Sequence, residues 1–534
     1  MKKRSLVILI SILLAAIACG LFAKLGIFGQ RYLGICVTDE GTLETLSAGK
    51  EFIPAYDSIL IDGNPICYDE GQGIVYITQN LENAGWEGAL TAGDGMLFFE
   101  KNEAFKDKAS AIADGTAFGL WYISGDSFFN CSVVFSGMPI MSLNSMWEIG
   151  EDEWGGSMEL YDRYRVGLEY QATPANYHYR GAYSLKYDKK SYKLNLSDEK
   201  LSLCGLRKDD DWILNALYDD IGLIRNATCY RLWNELTTSN SVDGDVTCEC
   251  EFIELVVNHE YLGVYLLQDR IDKKKTGVTD EDYLYKQKDW VRPTDENDVH
   301  GSDYGRAFDV KWPLDAEEDN STKHVAKEPM KEFMKDTYYP GRSDATYDEI
   351  CDELYLDNAI DYLIYSMVLY AGDNLYKNSY FGAIHQEDDS YRFYEIPWDL
   401  NSTFGILRGY SMETGRAADG DCWNYVGETL YRKNPKEFGA LVKERYEELR
   451  SSVLSEENMK GVAEEYIDYT VNTGAYGRNL EKYPQFDSGD ATYDYEKIWS
   501  RDEMMTFIDE RMAFLDEYME KVGNGEVILT DDEE

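Results

Sequence analysis

The spacing of apolar residues changes along the chain, and each change marks a different kind of element. Between about residues 33 and 135 the apolar runs are short: Ile59-Leu60-Ile61, Ile74-Val75-Tyr76-Ile77, Met96-Leu97-Phe98-Phe99 and Ser132-Val133-Val134-Phe135. Asp62-Gly63-Asn64-Pro65 and similar turn-forming clusters separate them, so residues 33–135 are predicted to form a small all-β domain, a sandwich or barrel. It carries no catalytic constellation. Its expected role is to hold the next domain away from a membrane, with ligand binding as the alternative.

From Met138-Pro139-Ile140-Met141-Ser142-Leu143 onward both periods occur. Ser191-Tyr192-Lys193-Leu194-Asn195-Leu196 and Phe252-Ile253-Glu254-Leu255-Val256-Val257 read as strands, and between them Ala227, Tyr230, Trp233 and Leu236 fall at helical intervals, predicting a helix after Arg225. Asn258-His259-Glu260 reads as a hairpin turn, followed by a returning strand. Residues 290–340 are polar and interrupted, an expected long insertion with a helix near 327–335. Ala359, Leu363, Tyr365, Met367, Val368 and Leu369 predict a buried helix over 357–370, and 435–454, 456–472 and 501–522 read as amphipathic helices. The fold class is therefore α+β, a strand-rich small lobe followed by a mostly helical larger one. Asp531-Asp532-Glu533-Glu534 closes an acidic tail over 526–534.

Composition narrows the function classes. With 534 residues, 44% hydrophobic and 14% aromatic, the chain has enough apolar surface for more than one packed core. The 42 tyrosines fit broad, half-exposed sheets. A formal net charge of −47 argues against a nucleic-acid partner, because such a surface repels phosphate. Any nucleotide would need a local positive island.

Met1-Lys2-Lys3-Arg4-Ser5 precedes an apolar run from Leu6 to Ala23. Positive charge before such a run predicts a signal anchor or signal peptide over residues 1–24, with the bulk of the chain extracytoplasmic, or secreted if the segment is cleaved. Ala16-Ile17-Ala18-Cys19 is a poor lipoprotein cleavage box, and the uncleaved, single-pass anchor is the favoured reading. The ten cysteines are compatible with either disulfides or buried thiols. Cys248-Glu249-Cys250 is too closely spaced for the usual zinc pairs, and with five histidines no structural metal is expected.

Candidate chemistry lies in two short segments. Asp373-Asn374-Leu375-Tyr376-Lys377-Asn378 is followed, after a predicted hairpin, by Ile396-Pro397-Trp398-Asp399. Asp, Asn five positions later, then a further Asp is the order in which protein kinases arrange a base, a metal-binding amide and a metal-binding carboxylate. The spacing alone is weak evidence in a chain with 99 acidic residues. Asp399 is harder to set aside, because it follows Ile-Pro-Trp and precedes Leu, where an unpaired carboxylate is costly to bury. The positive island is Lys186, Lys189, Lys190 and Lys193, with Asp188 the single acid among them. Period-two alternation puts Lys190 with Tyr192, Leu194 and Leu196 on one face and Lys193 with Asn195 on the other. One lysine could face phosphates, or the segment could be an edge strand protected by lysine. Arg180 could equally pair with a nearby acid, Trp398 reads as core, and Asp209-Asp210-Asp211 as an exposed turn.

Arg180-Gly181, the run from Lys189 to Leu194, Asp219 to Asn226 with Leu223-Ile224-Arg225-Asn226, Asn258 to Leu267, Asp373 to Asn378, and Ile396 to Leu400 with Phe404-Gly405 resemble, in order, the motifs of the spore-coat protein H (CotH) kinase family. The resemblance spans roughly residues 138–525. It implies an atypical protein-kinase-like, two-lobed domain that transfers phosphate from ATP to Ser or Thr of a protein substrate, with Mg2+. Carried over by motif, it implies Asp373 and Asp399 as catalytic acids and Asp373, Asn378 and Asp399 as metal ligands. It also implies Lys190 or Lys193, with Arg180, as phosphate contacts, and Asp269 in the segment Leu267-Gln268-Asp269-Arg270 at the cofactor or the hinge. Three positions depart from the family pattern: Asn401 where Asp is common, His259 where Gly is usual, and Asp269 in place of Glu. Asn401 removes a negative charge from the expected metal site. The other function class compatible with the residues is a non-catalytic surface binding or adhesion protein on the same scaffold.

Overall fold

Of the four short apolar runs near the N-terminus, Ile59–Ile61 joins a smaller sheet and the other three become strands of one mixed sheet. In order across it lie Arg31–Tyr32, Ile35–Thr38, Met96–Glu100, Ala117–Ile123, Ser127–Ser136, Ile74–Thr78 and Cys67–Asp69, with Glu51–Phe52 added beside Ser127–Ser136. The smaller sheet joins Asn64–Pro65, Ile59–Ile61 and Leu90–Ala92. The region is all-β apart from short helices such as Glu40–Ser47 and Lys108–Ala113. Its sheet includes parallel pairs, Ile74–Thr78 with Ser127–Ser136 and Ile35–Thr38 with Met96–Glu100. Turn residues mark where the chain reverses but carry no information on which distant strands pair. Phe99, Phe105, Phe118, Val133 and Phe135 build its core.

The computed structural model describes residues 30–163, 169–242, 244–288, 307–314, 320–338, 344–405, 422–484 and 501–529. The expected membrane segment over 1–24 lies outside these residues, as do the last five residues of the tail and much of the 290–340 insertion. Among the described residues no helix is long and apolar enough to cross a membrane. Contacts divide the chain into a first unit of Met1–Ala216, Glu251–Leu267 and Asp468–Gln485, and a second of Leu217–Cys250, Gln268–Ile467 and Phe486–Glu534.

The first unit also contains a closed barrel whose strands run in the order Ile140–Asn144, Trp154–Asp162, Glu169–Arg180, Ser191–Leu196, Asp211–Asn215, Glu260–Asp269 and Cys250–Val257. Strand Ser191–Leu196 is flanked on both sides, so the edge-strand reading of its lysines is overturned. The predicted hairpin turns on Asn258 and His259, both with left-handed φ (48° and 61°), the geometry of a two-residue turn. The His259 ring stacks on Tyr68 with centroids 4.2 Å apart. Gly263 has φ 79°, and a Cβ there would meet Asn479 Oδ1 at 2.4 Å. That bareness admits helix Ala475–Lys482. Arg478 of this helix donates to Glu254 through Nε and Nη2, both at 2.8 Å, and to Ser136 Oγ at 3.0 Å. One guanidinium thus ties the N-terminal sheet, the barrel and the C-terminal helix. Asp209, expected in an exposed turn, is buried against Arg207.

The second unit is built on an antiparallel sheet in the order Phe308–Trp312, Tyr283–Gln287, Ser379–His385 and Tyr391–Pro397. Helix Leu356–Leu369 packs on the last of these strands and is buried along most of its length. Of the polar residues buried in it, Asn358 and Asp361 are each matched. Asn358 donates to the Glu395 carbonyl at 3.2 Å and accepts its N–H at 2.7 Å, while Asp361 is held by Arg445 Nε at 2.7 Å. Helices Pro435–Arg450 and Arg501–Gly523 pack together. Helix Arg225–Leu236, expected among the strands of a small lobe, belongs to this unit. Many tyrosines are fully buried instead of half-exposed, including Tyr230, Tyr265, Tyr285, Tyr362 and Tyr365. Their hydroxyls are satisfied inside, as Tyr285 on the Ala326 carbonyl at 2.7 Å and Tyr365 on the Cys229 carbonyl at 2.6 Å. Cys229 and Cys248 are buried thiols, and burial pushes the Cys229 thiol up to about 12.

Two stability predictions follow from these buried charges. Arg478→Ala strands the buried Glu254 carboxylate and is expected to cost about 3–5 kcal/mol in urea unfolding, whereas Lys482→Ala, which breaks the outer pair with Glu260, costs under about 1 kcal/mol. Glu395 is buried beside Asn424 Nδ2 at 3.3 Å, and burial pushes its carboxyl up to about 8. The folded chain therefore holds a proton that the unfolded chain releases at lower pH, so stability from this group falls as pH rises towards 8. Glu395→Gln is expected to change the melting temperature little at pH 5 and to raise it relative to wild type at pH 8.

Candidate active site

Helix Leu356–Leu369 stops at Tyr370, which takes a left-handed φ of 52° and turns the chain into the short 3-10 segment Gly372–Asn374. Asp373 sits on that segment, half-buried. Asn374 beneath it is buried, and its side-chain amide donates to the carbonyls of Asn378 at 2.9 Å and Trp398 at 2.7 Å. The Trp398 N–H donates to the same Asn378 carbonyl at 2.9 Å, and the Tyr362 hydroxyl donates to the Asn374 carbonyl at 2.9 Å. The immediate neighbours of both candidate acids are thus laced into one junction. Asn378 Nδ2 donates to Asp373 Oδ2 at 2.8 Å, and Lys377 Nζ lies 3.7 Å from that oxygen.

Asp399 follows strand Tyr391–Pro397 and its buried neighbour Trp398, whose ring packs between those of Tyr230 and Tyr380 at 6.2 and 5.7 Å. Trp398 is core, as its sequence context suggests. Asn378 and Asp399 both have left-handed φ, 56° and 57°. Non-glycine residues persist there only where surroundings over-determine the backbone, at a cost of order 1 kcal/mol or more each. Here the surroundings are the Asn374 clamp and helix Arg225–Leu236: the Asp399 N–H donates to the Tyr230 hydroxyl at 3.1 Å, and the Leu400 N–H to Asn226 Oδ1 at 2.8 Å.

That helix is anchored by Asp220, whose carboxylate accepts the Arg225 N–H at 2.7 Å and lies 3.2 Å from the Arg225 guanidinium. Asp219, one residue earlier, turns elsewhere. Its Oδ2 accepts from Asn401 Nδ2 at 2.7 Å. Burial pushes the Asp219 carboxyl up to about 7, and the negative charge of Asp399 adds to the rise. Among the described residues no three His, Cys, Asp or Glu side chains form a group able to hold a metal ion by themselves. The donors gathered here are carboxylate and amide oxygens, the hard ligands that suit magnesium, an ion that fills its remaining positions with water and phosphate oxygens. The mutual repulsion of Asp219 and Asp399 is a charge imbalance that such a cation would relieve.

The candidate cations stand in the first unit, and the candidate acids in the second. Arg180 ends its strand half-buried, opposite Ser191. Lys190 Nζ donates to the carbonyls of Leu185, at 2.8 Å, and Tyr187. Lys193 faces Asp211 at 3.8 Å. Lys189, named in the positive island but not chosen as a phosphate contact, is fully buried. Its ammonium donates to the Val264 carbonyl and to Asn479 Oδ1 at 2.8 Å and lies 4.6 Å from the centre of the Tyr265 ring, and burial lowers its pKa well below the ordinary amine value. Asp269 is buried in an ion pair with Lys275 at 2.8 Å, and Lys275 also reaches Asp245 at 2.9 Å. A neighbouring ammonium therefore occupies the carboxylate expected at the cofactor.

Sequence reasoning missed Asn374, Asp219 and Lys286. Lys286 lies on strand Tyr283–Gln287 with Nζ 5.4 and 5.8 Å from the ring centres of Tyr380 and Trp398. Asn374 was readable as an amide directly after a candidate acid. Asp219 was readable as half of an acidic pair before a helix, of which the helix N-terminus uses one member.

Residues 177–515 match the family described as CotH kinase protein. No curated protein matches the chain. Asn374→Ala is expected to cost about 1–3 kcal/mol by removing a donor from two buried carbonyls, and to abolish the left-handed conformations at Asn378 and Asp399. Chemical denaturation measures the first effect, and the backbone amide shifts of those two residues the second.

Proposed function

The chain belongs to the CotH kinase family, and on that footing we propose that it transfers the terminal phosphoryl group of ATP to a Ser or Thr hydroxyl of a protein substrate, with Mg2+. The observation that carries this reading is the clamp by which Asn374 joins the Asp373–Asn378 turn to the Trp398–Asp399 turn. The hairpin pairing of Ser379 with Pro397 brings the two turns side by side, and the clamp fixes two candidate carboxylates and an amide at that one junction.

Asp373 is assigned the base. Its Oδ2 is fixed by the Asn378 amide, which turns the carboxylate to a single orientation from which it accepts the proton of the acceptor hydroxyl. With its nitrogen end committed to Asp373, Asn378 presents Oδ1 as a ligand, and Asp399 presents its carboxylate from a backbone held at both ends. Magnesium bound to ATP supplies neutralisation of the charge on the transferring phosphates. Lys193 and Arg180 are assigned to phosphate. Lys190 is the alternative, its ammonium already engaged by two carbonyls. Residues 138–525 are read as an atypical kinase fold, with 33–135 as a spacer and the N-terminal segment as a membrane anchor that leaves the bulk outside the cytoplasm.

Calorimetry on the chain from residue 30 onward is expected to show binding of ATP only with magnesium, and Asp399→Asn to abolish it. Asp373→Asn is expected to lower labelled-phosphate transfer about 100-fold or more while changing nucleotide affinity little. Absence of ATP binding in the unsubstituted protein refutes the enzymatic reading and leaves surface binding or adhesion.

A further inference from the structure

In the segment Trp398-Asp399-Leu400-Asn401 this chain carries a neutral amide two residues after the candidate acid Asp399. The loss of a charge from a cation site weakens binding unless another group restores it. An amide also has two unlike ends, and only its partner decides which end faces a ligand.

Asp219 answers both points. Its Oδ2 accepts from Asn401 Nδ2 at 2.7 Å, which commits the nitrogen end of the amide to Asp219 and leaves Oδ1, the end able to bind a cation, on the other arm. Asp219 and Asp399 are close enough for their charges to act on one another. Asp219 is not accounted for by the helix it precedes, because Asp220 alone accepts the Arg225 N–H and pairs with its guanidinium. Helix Arg225–Leu236, which follows Asp219 in the chain, also fixes the backbone at Asp399 and Leu400 through Tyr230 and Asn226.

We propose that Asp219 is a positioning residue of the cation site, orienting Asn401 with its oxygen outward and supplying from a separate loop the negative charge that Asn401 lacks. This rests on the phosphoryl-transfer reading and adds to it a residue outside the Asp373–Asn378 and Trp398–Asp399 segments. Outer-sphere partners of this kind commonly change metal affinity 10- to 100-fold.

The test is binding of Mn2+, with and without ATP, to the chain from residue 30 onward, followed by electron paramagnetic resonance. Asp219→Asn, which keeps shape and removes charge, is expected to weaken Mn2+ binding about tenfold or more. The exchange Asp219→Asn with Asn401→Asp returns charge and hydrogen bond with reversed polarity, and is expected to recover affinity to within about threefold of wild type. Asn401→Asp alone places two carboxylates together, and is expected to tighten Mn2+ and to enlarge the rise in melting temperature on adding it. Asp219→Asn with native circular dichroism and unchanged Mn2+ affinity overturns the proposal, as does a double exchange no better than the single. Should Asp219→Asn fail to fold, Asn401→Asp decides: unchanged Mn2+ affinity refutes the proposal. A wild-type chain that binds neither Mn2+ nor Mn2+ with ATP refutes the phosphoryl-transfer reading together with this one, whereas wild-type binding unaffected at Asp219 removes only this one.

Discussion

A single buried amide, Asn374, holds the candidate site in shape. Its two donors reach the carbonyls of Asn378 and Trp398, and through them the turn bearing Asp373 and the turn bearing Asp399 move as one body. Burying a carbonyl without a donor is expensive, so the clamp is enforced by the core around it: Tyr362 from below, Tyr230 and Tyr380 around Trp398. Asn378 and Asp399, the candidate residues at this junction, both sit in left-handed backbone. The local cost is met by the packing of helix Leu356–Leu369 on the second unit's sheet and of helix Arg225–Leu236 against that helix.

Charge is handled differently in the two units. The first buries cations and anions in matched sets, as Arg478 with Glu254 and Ser136, or gives a lone cation only neutral acceptors, as Lys189 with Val264 and Asn479. In the second, Asp220 and Asp361 have arginine partners, but Asp219 has an amide and a like-charged neighbour. Carboxyl groups with raised pKa and no cation are what a ligand-binding site carries more often than a scaffold does. Glu395 and Glu353 of this unit are raised as well; Asp219 differs from them in reaching, through Asn401, the segment that bears Asp399.

The elements themselves were legible in the sequence wherever periodicity is local. Ala227 to Leu236, Ala359 to Leu369 and the repeats after Pro435 announced their helices, and Asn258-His259 its hairpin, because 3.6-residue and two-residue spacing is a property of neighbours. Pairing was not legible. The parallel strands of the N-terminal sheet and the closure of the barrel by Ile140–Asn144 on Cys250–Val257 join residues separated by up to more than a hundred positions, and no turn signal specifies them. Nor could alternation tell which lysine goes inside: it offered Lys190 or Lys193, while the barrel admits Lys189 because Gly263 leaves room for Asn479.

For the site, the sequence by itself determined the family and its ordered motifs, and with them the candidates Asp373, Asn378 and Asp399, since covalent order and residue type suffice to put these forward. Only the tertiary structure decided that Asn374 bridges them, that Asp269 is occupied by Lys275, and that Asp219 reaches Asn401 across 182 positions. The reason is physical: a hydrogen bond or a field between charges depends on distances of a few ångströms, and these are set by packing of apolar faces whose partners lie far away along the chain.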